Sequence, residues 1–422
     1  MTELTVPGDK SITHRALILA ALADGTSRIR GVLAGEDAQS TATVLRALGT
    51  TIPALEPETE LRIEGLGRQG FNEPEDELDC GNSGTTTRLM MGVVAGQSIG
   101  ATFTGDASLR RRPMRRVTAP LEQMGARVIE LGEPGRLPIR IEGAKLRAIS
   151  FVSEQASAQV KSAILLAGLV SGASAQVTEP LASRDHTERL LRAMGAQVDE
   201  QTLDNGTHIV RVGSADHLRP IDLRIPGDFS SAAFLIAAAL LGVLPAALII
   251  GVGVNPTRTG LLDILQRMGA AIELRNLREV GGEPVADISA RASELRGVEV
   301  EPQLVPRLID EIPILAILAA RALGSTTIRG AGELRVKESD RIRALVDNLS
   351  GIGAAATELP DGLMITGTAK PLSGAVRTAL DHRIAMAFGV LAGEAKNRVE
   401  IDDRAVAAVS FPGFWQILGQ PA

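Results

Sequence analysis

The sequence predicts an α/β protein of two similar domains, each made of three βαβαββ units. Three observations carry this. A polar, often glycine-containing opening followed by a small-residue-rich apolar helix recurs six times along the 422 residues. Each recurrence continues into a strand and then a second helix that closes on Leu, Met or Ile followed by Gly. A PGD turn occurs twice, at Pro7–Asp9 and Pro226–Asp228, and divides the six units into two groups of three. The length agrees, since it exceeds one ordinary domain and suits two of about 200 residues.

Taken in order, the openings are PGDKSITHRALILAAL from Pro7, GNSGTTTRLMMGVVAG from Gly81, SAQVKSAILLAGL from Ser157, PGDFSSAAFLIAAAL from Pro226, IDEIPILAILAARAL from Ile309 and DHRIAMAFGVLAG from Asp381. The strands that follow are TSRIRGV, SIGATFTG, SAQVTEP, AALIIGV, STTIRGAG and NRVEIDD. The second helices close at Leu48-Gly49, Met124-Gly125, Met194-Gly195, Met268-Gly269, Ile352-Gly353 and Leu418-Gly419. After four closures a further extended stretch follows, as at Ala126 to Glu130 and Ala196 to Asp199. The units vary too much in length for a solenoid. One domain is expected to span 10–225 and the other 1–9 plus 226–422, with hinge crossings near 7–10 and 225–228.

Composition narrows the function. Hydrophobic residues at 45% and charged residues at 22% exclude a disordered chain. Aromatics are 2% with no Tyr, which argues against a stacking platform for single-stranded nucleic acid. A net charge of −6 does not favour nucleic acid or an anionic membrane as partner. The stretch from Phe229 to Thr257 carries no charge, but Gly242 and Pro245 interrupt it. It reads as a buried helix, Phe229 to Leu241, a turn, and a buried strand, Ala246 to Gly251. The single Cys80 excludes an intramolecular disulfide. No secretory signal is visible at the start, so a cytoplasmic location is expected.

The first helices are almost wholly apolar and therefore buried, which leaves their first N–H groups in need of partners. Such helix starts favour anions through free donors and the positive dipole end. Lys10-Ser11 opens the first helix, with Arg15 one turn on; only six Lys occur in the chain, so this placement is informative. GNSGTTTR resembles a phosphate loop but lacks the Gly-Lys ending of a nucleotide loop, while Gly84 permits close backbone approach. DASLRRRP, Asp106 to Pro113, is a dense anion candidate, although the run alone does not single out one of its three Arg. Asp310 and Glu311 precede a buried helix, as dipole partners or as a general base. ELRVKESDR places Lys337, Glu338 and Arg341 within five residues, which fits an exposed helix start with local pairs as well as a site. Arg383 in DHR opens the last apolar helix, where a cation is costly unless an anion compensates it. Five scattered His and no CxxC leave a metal site unsupported.

In this order KSITHRALILAAL, GNSGTTTR, DASLRRRPM, SAQVKSAILLAG, RDHTERLL, IDEIPILA, LRVKESDR and DHRIAMA resemble the 5-enolpyruvylshikimate-3-phosphate (EPSP) synthase family, over essentially the whole chain. SAQVK and RDHTE resemble its bacterial branch that includes the glyphosate-tolerant enzymes. The resemblance implies two inverted α/β barrel-like domains that close on substrates in the interdomain cleft. It implies enolpyruvyl transfer from phosphoenolpyruvate to shikimate 3-phosphate, with no metal or organic cofactor, in a protein expected to be a monomer. By resemblance Lys10, Ser11, Arg15, Ser157, Gln159, Arg184, Asp310 and Lys337 bind shikimate 3-phosphate. Lys10, Gly84, Arg112, Gln159, Arg341 and Arg383 surround phosphoenolpyruvate. Asp310 takes the role of base, and Glu338 and Lys10 are candidates to protonate the methylene carbon. One departure stands out: some members carry a Lys before the C-terminal Phe-Pro, where this chain has Ser410.

Three other readings compete. A carboxyvinyl transferase for UDP-N-acetylglucosamine would carry a reactive Cys in the DASLRRRP loop and Lys-Asn in place of Lys10-Ser11. An RNA-terminal phosphate cyclase would need a nucleotide motif, and none is visible. A non-catalytic anion-binding protein would not need Lys10, Asp310, Glu338, Arg341 and Arg383 together.

Overall fold

Six helices set the architecture: Lys10–Ala21, Gly84–Ala95, Ala158–Ser171, Phe229–Leu240, Ile312–Arg321 and His382–Ala392. Each is buried nearly all round, as its composition demands. The computed structural model describes residues 2–56, 59–213 and 217–421. The chain divides into two units: Gly8–Ile225 with Val280–Glu283, and Met1–Pro7 with Pro226–Glu279 and Pro284–Ala422. Each has its own hydrophobic core, built around three of the six helices.

Among the described residues of the amino-terminal unit three sheets surround the core. The strand Thr26–Arg30 pairs antiparallel with Leu61–Glu64 and parallel with Asp222–Arg224, the last strand before the chain crosses to the other unit. The strand Gly100–Thr104 pairs parallel with Leu78–Asp79 and antiparallel with Ile139–Glu142, which carries Arg127–Glu130 at its other edge. The sheet of Ile149–Val152, Ala175–Glu179, His208–Val212 and Val198–Thr202 repeats that plan.

The carboxy-terminal unit uses the same plan in two sheets and shortens it in the third. Thr2–Leu4 lies parallel to Ala247–Gly253, and Glu299–Val300 lies parallel to Ser325–Ile328. The sixth repeat keeps only the parallel pair of Ser373–Val376 with Arg398–Ile401. The uncharged stretch forms the helix Phe229–Leu240 and the strand Ala247–Gly253, two residues longer than expected at its end. Among the described residues no helix is long and apolar enough to cross a membrane.

The six Leu/Met/Ile-Gly closures share one physical device. Gly49, Gly125, Gly195, Gly269, Gly353 and Gly419 all have φ between 65° and 112°. That left-handed conformation ends a helix at little cost only in glycine. A second glycine sets a helix pair: a Cβ on Gly92 would collide with the Ala163 carbonyl, so the Gly84 and Ala158 helices pack backbone to backbone. Their starts are thereby brought side by side.

Candidate active site

In the amino-terminal unit the predicted residues gather at the starts of the Lys10, Gly84 and Ala158 helices. Asp9 caps the first, accepting the Ile12 N–H at 2.8 Å. Lys10, half-buried, forms a salt bridge with Asp37. Arg15 is only 3% exposed. Its Nε donates to Thr187 Oγ1 at 2.7 Å and its terminal nitrogens to the Ser11 carbonyl and Ser162 Oγ, both at 3.0 Å. Burial pulls the guanidinium down to about 10, opposed by the more distant Glu188 charge. Its contacts are thus neutral oxygens, and it makes no ion pair among the described residues. Such a cation gains from an anion nearby.

Ser83 caps the Gly84 helix and accepts the Thr86 N–H at 3.2 Å. Gln159, from the next helix, donates to Thr85 Oγ1 at 2.9 Å and accepts from Arg88 at 2.7 Å. Of the three consecutive arginines, Arg110 reaches back to Thr104 at 2.8 Å and Arg111 is exposed. Arg112 instead hydrogen-bonds Asn82 in the GNSG loop. A Cβ on Gly84 would lie 2.7 Å from an Arg88 terminal nitrogen and 3.4 Å from one of Arg112. Gly84, Arg112 and Gln159 are therefore neighbours.

Ser157 precedes the Ala158 helix, and its N–H donates to Glu179 at 2.7 Å. Glu179 also accepts from Ser183 Oγ, the residue before Arg184. Behind them the fully buried Lys161 sits 3.2 Å from Glu179 and 2.8 Å from Glu188. Burial alone would lower the Lys161 ammonium; the two carboxylates outweigh it and hold the charge.

In the carboxy-terminal unit Arg341 is the centre, 1% exposed. It donates to Asp381 at 2.8 and 3.2 Å and to Glu338 at 2.8 Å, and lies 3.6 Å from Asp310. Burial would lower this guanidinium, but Asp381, Glu338 and Asp310 together raise it. Arg341 is thus an interior residue, unlike the exposed helix start that its local sequence also fitted. Asp381 caps the His382 helix through the Arg383 N–H at 3.0 Å. Arg383 donates to the Asp310 carbonyl at 2.8 Å and lies 3.8 Å from its carboxylate. Lys337 stands apart from these contacts, 3.5 Å from Glu333.

Sequence reasoning assigned no role to Arg88, Asp37, Lys161, Glu179 or Asp381, the residues that hold the predicted ones in place. Arg88, Lys161 and Asp381 stood inside the motifs GNSGTTTR, SAQVK and DHR, which was the only signal available. His186 meets Glu283 at 2.7 Å, both buried, as a hydrogen-bonded structural histidine would.

The family described as EPSP synthase (3-phosphoshikimate 1-carboxyvinyltransferase) matches residues 1–418. A 3-phosphoshikimate 1-carboxyvinyltransferase of Gloeobacter violaceus is 52% identical over 420 residues, spanning 99% of this chain and 96% of that protein. The enzyme of that name from Desulforamulus reducens is 49% identical over 418 residues, spanning 98% and 95%. The solved structure of EPSP synthase from Acinetobacter baumannii matches with a TM-score of 0.85 at 41% identity, covering 99% of this chain and 94% of that one. The enolpyruvyl transferase NikO from Streptomyces tendae, at 18% identity and a TM-score of 0.75, shares the fold.

Proposed function

The chain belongs to the EPSP synthase (3-phosphoshikimate 1-carboxyvinyltransferase) family, and from that premise we propose how its residues divide the work. The reaction transfers the enolpyruvyl group of phosphoenolpyruvate to the 5-hydroxyl of shikimate 3-phosphate and releases phosphate. Each substrate carries a phosphate and a carboxylate, so cations and helix starts are the right binding chemistry.

Lys10, Ser11, Arg15, Ser157, Gln159, Arg184, Asp310 and Lys337 bind shikimate 3-phosphate. Lys10, Gly84, Arg112, Gln159, Arg341 and Arg383 hold phosphoenolpyruvate. Asp310 takes the proton of the 5-hydroxyl as its oxygen attacks C2 of phosphoenolpyruvate, while Glu338 or Lys10 delivers a proton to C3. The tetrahedral adduct then loses phosphate from C2 and a proton from C3. The crossings near 7–10 and 225–228 act as hinges between the two units. The protein works as a monomer in the cytoplasm.

The observation that carries this reading is Asp310 beside Arg341 and Arg383, at 3.6 and 3.8 Å, in a chain of this family. The cysteine-dependent alternative is disfavoured, because Cys80 is buried and burial pushes its thiol up to about 12. Phosphate release measured with both substrates and with each alone tests the proposal. Release only when both are present supports it; release from phosphoenolpyruvate alone at the same rate overturns it.

A further inference from the structure

Behind Asp310 and Arg383, within the same unit, lies a buried cluster that the proposed chemistry does not use. Glu311 is its centre and is 1% exposed. Its Oε1 hydrogen-bonds the Ser230 hydroxyl, and lies 3.8 Å from Arg258 and 4.0 Å from Arg383. Arg258, 3% exposed, donates to Ser230 Oγ at 2.8 Å. A guanidinium can only donate, so the Ser230 proton must point to Glu311. Asp228, the cap of the Phe229 helix, fixes Ser230 through its N–H at 2.6 Å and lies 3.8 Å from Arg258.

Arg383 therefore faces a choice of anions. A buried carboxylate and guanidinium normally close to roughly 2.7–2.9 Å, forming a charge-assisted hydrogen bond. Here the Glu311–Arg383 separation stays at 4.0 Å, while the Ser230 hydroxyl donates to the same Glu311 oxygen and Arg258, itself bonded to Ser230, lies 3.8 Å from it. We propose that Arg258 and Ser230 are positioning residues that hold Glu311 off Arg383 and so keep the Arg383 guanidinium available to phosphoenolpyruvate. Their action runs through Arg383, and the inference rests on the reading of Arg383 as a phosphoenolpyruvate ligand.

The test is a set of steady-state variants. Arg258→Gln should raise the KM for phosphoenolpyruvate about tenfold or more, change kcat less than about threefold, and leave shikimate 3-phosphate binding unchanged, because Glu311 now captures Arg383. Adding Glu311→Gln should bring the KM back to within about threefold of the parent, since no carboxylate remains to capture it. A purely structural role makes the double variant worse than either single one, and that result overturns the proposal. If Arg258→Gln does not fold, Ser230→Ala removes only the hydroxyl and should still raise the same KM about threefold; an unchanged KM overturns the proposal. Arg383→Gln separates the premise: an unchanged phosphoenolpyruvate KM there rejects Arg383 as a ligand, whereas a raised KM without rescue in the double variant rejects the positioning role alone.

Discussion

Replacing Gly84 by alanine adds one methyl group at the first turn of its helix, 2.7 Å from an Arg88 terminal nitrogen and 3.4 Å from one of Arg112. An unstrained contact needs roughly 3.5 Å, so the Arg88 guanidinium must retreat by roughly 0.8 Å. It has little room to do so. Arg88 is 4% exposed, donates to Gln159 at 2.7 Å and to the Pro113 carbonyl at 3.3 Å. A displacement of that size breaks the Gln159 bond, a charged hydrogen bond worth about 1.5–3 kcal/mol. Alanine offsets up to about 1 kcal/mol of this through helix propensity, leaving a net loss of about 0.5–3 kcal/mol.

The same motion disturbs Gln159 and crowds Arg112, both proposed to hold phosphoenolpyruvate. Resemblance to the EPSP synthase family implies that glyphosate competes with phosphoenolpyruvate, and glyphosate is the longer of the two, so it should suffer more. We expect Gly84→Ala to raise the glyphosate inhibition constant at least about tenfold, equivalent to ~1.4 kcal/mol. The KM for phosphoenolpyruvate should rise by a smaller factor, and the melting temperature should fall by a few degrees. Inhibition constants, KM values and calorimetry on the two proteins decide it. Equal inhibition constants and equal KM values would refute the placement of Gly84 beside the anion site.

Three further outcomes follow from other residues. Asp310→Asn keeps size and hydrogen bonding but removes the proposed base, so turnover should fall about 100-fold or more with shikimate 3-phosphate affinity largely intact, as single-turnover kinetics and titration calorimetry would show. Lys161→Met strands Glu179 and Glu188 in the interior and should cost about 3–5 kcal/mol in urea unfolding; a loss below about 1 kcal/mol would mean that the carboxylates do not depend on Lys161. His14 is buried, and burial pushes its imidazole down to about 3, so the folded state stays neutral while the unfolded chain takes a proton near 6.5. Stability should therefore fall as pH drops from 6.5 toward 3, with His208, also lowered by burial, adding the same sign. In His14→Gln the slope of stability between about pH 6 and pH 4 should flatten by close to one proton, and an unchanged slope would contradict a neutral buried His14.

The repeats were legible because each buried helix advertises itself locally: an uncharged run, a polar start, a following strand, and a closing glycine whose positive φ the backbone requires. Lys10, Gly84, Ser157, Arg341 and Arg383 stand at helix starts and were legible for the same reason. Their supports were not. Whether Arg341 is a surface cation or the core of a charge cluster depends on Asp381, forty positions on. Arg88 meets Gln159 seventy-one positions away, and Arg15 meets Thr187 after 172. Burial of a charge is decided by partners that only the tertiary fold supplies, so local pattern and propensity carry no signal for it. Arg112 shows the boundary: the run RRRP offered three equal arginines, and beyond the turn through Asp106 it is Arg112 that bonds Asn82 in the GNSG loop.

Addition followed by elimination at one carbon is the central chemical claim, and deuterium reads it directly. With phosphoenolpyruvate and shikimate 3-phosphate in heavy water, the proton delivered to C3 is a deuteron, and the later loss of a methyl hydrogen leaves part of that label behind. Proton NMR of the product should show the enolpyruvyl ether with deuterium in its vinyl methylene, together with one phosphate released per ether formed. A vinyl ether free of deuterium, or phosphate released with pyruvate and no ether, would contradict the account.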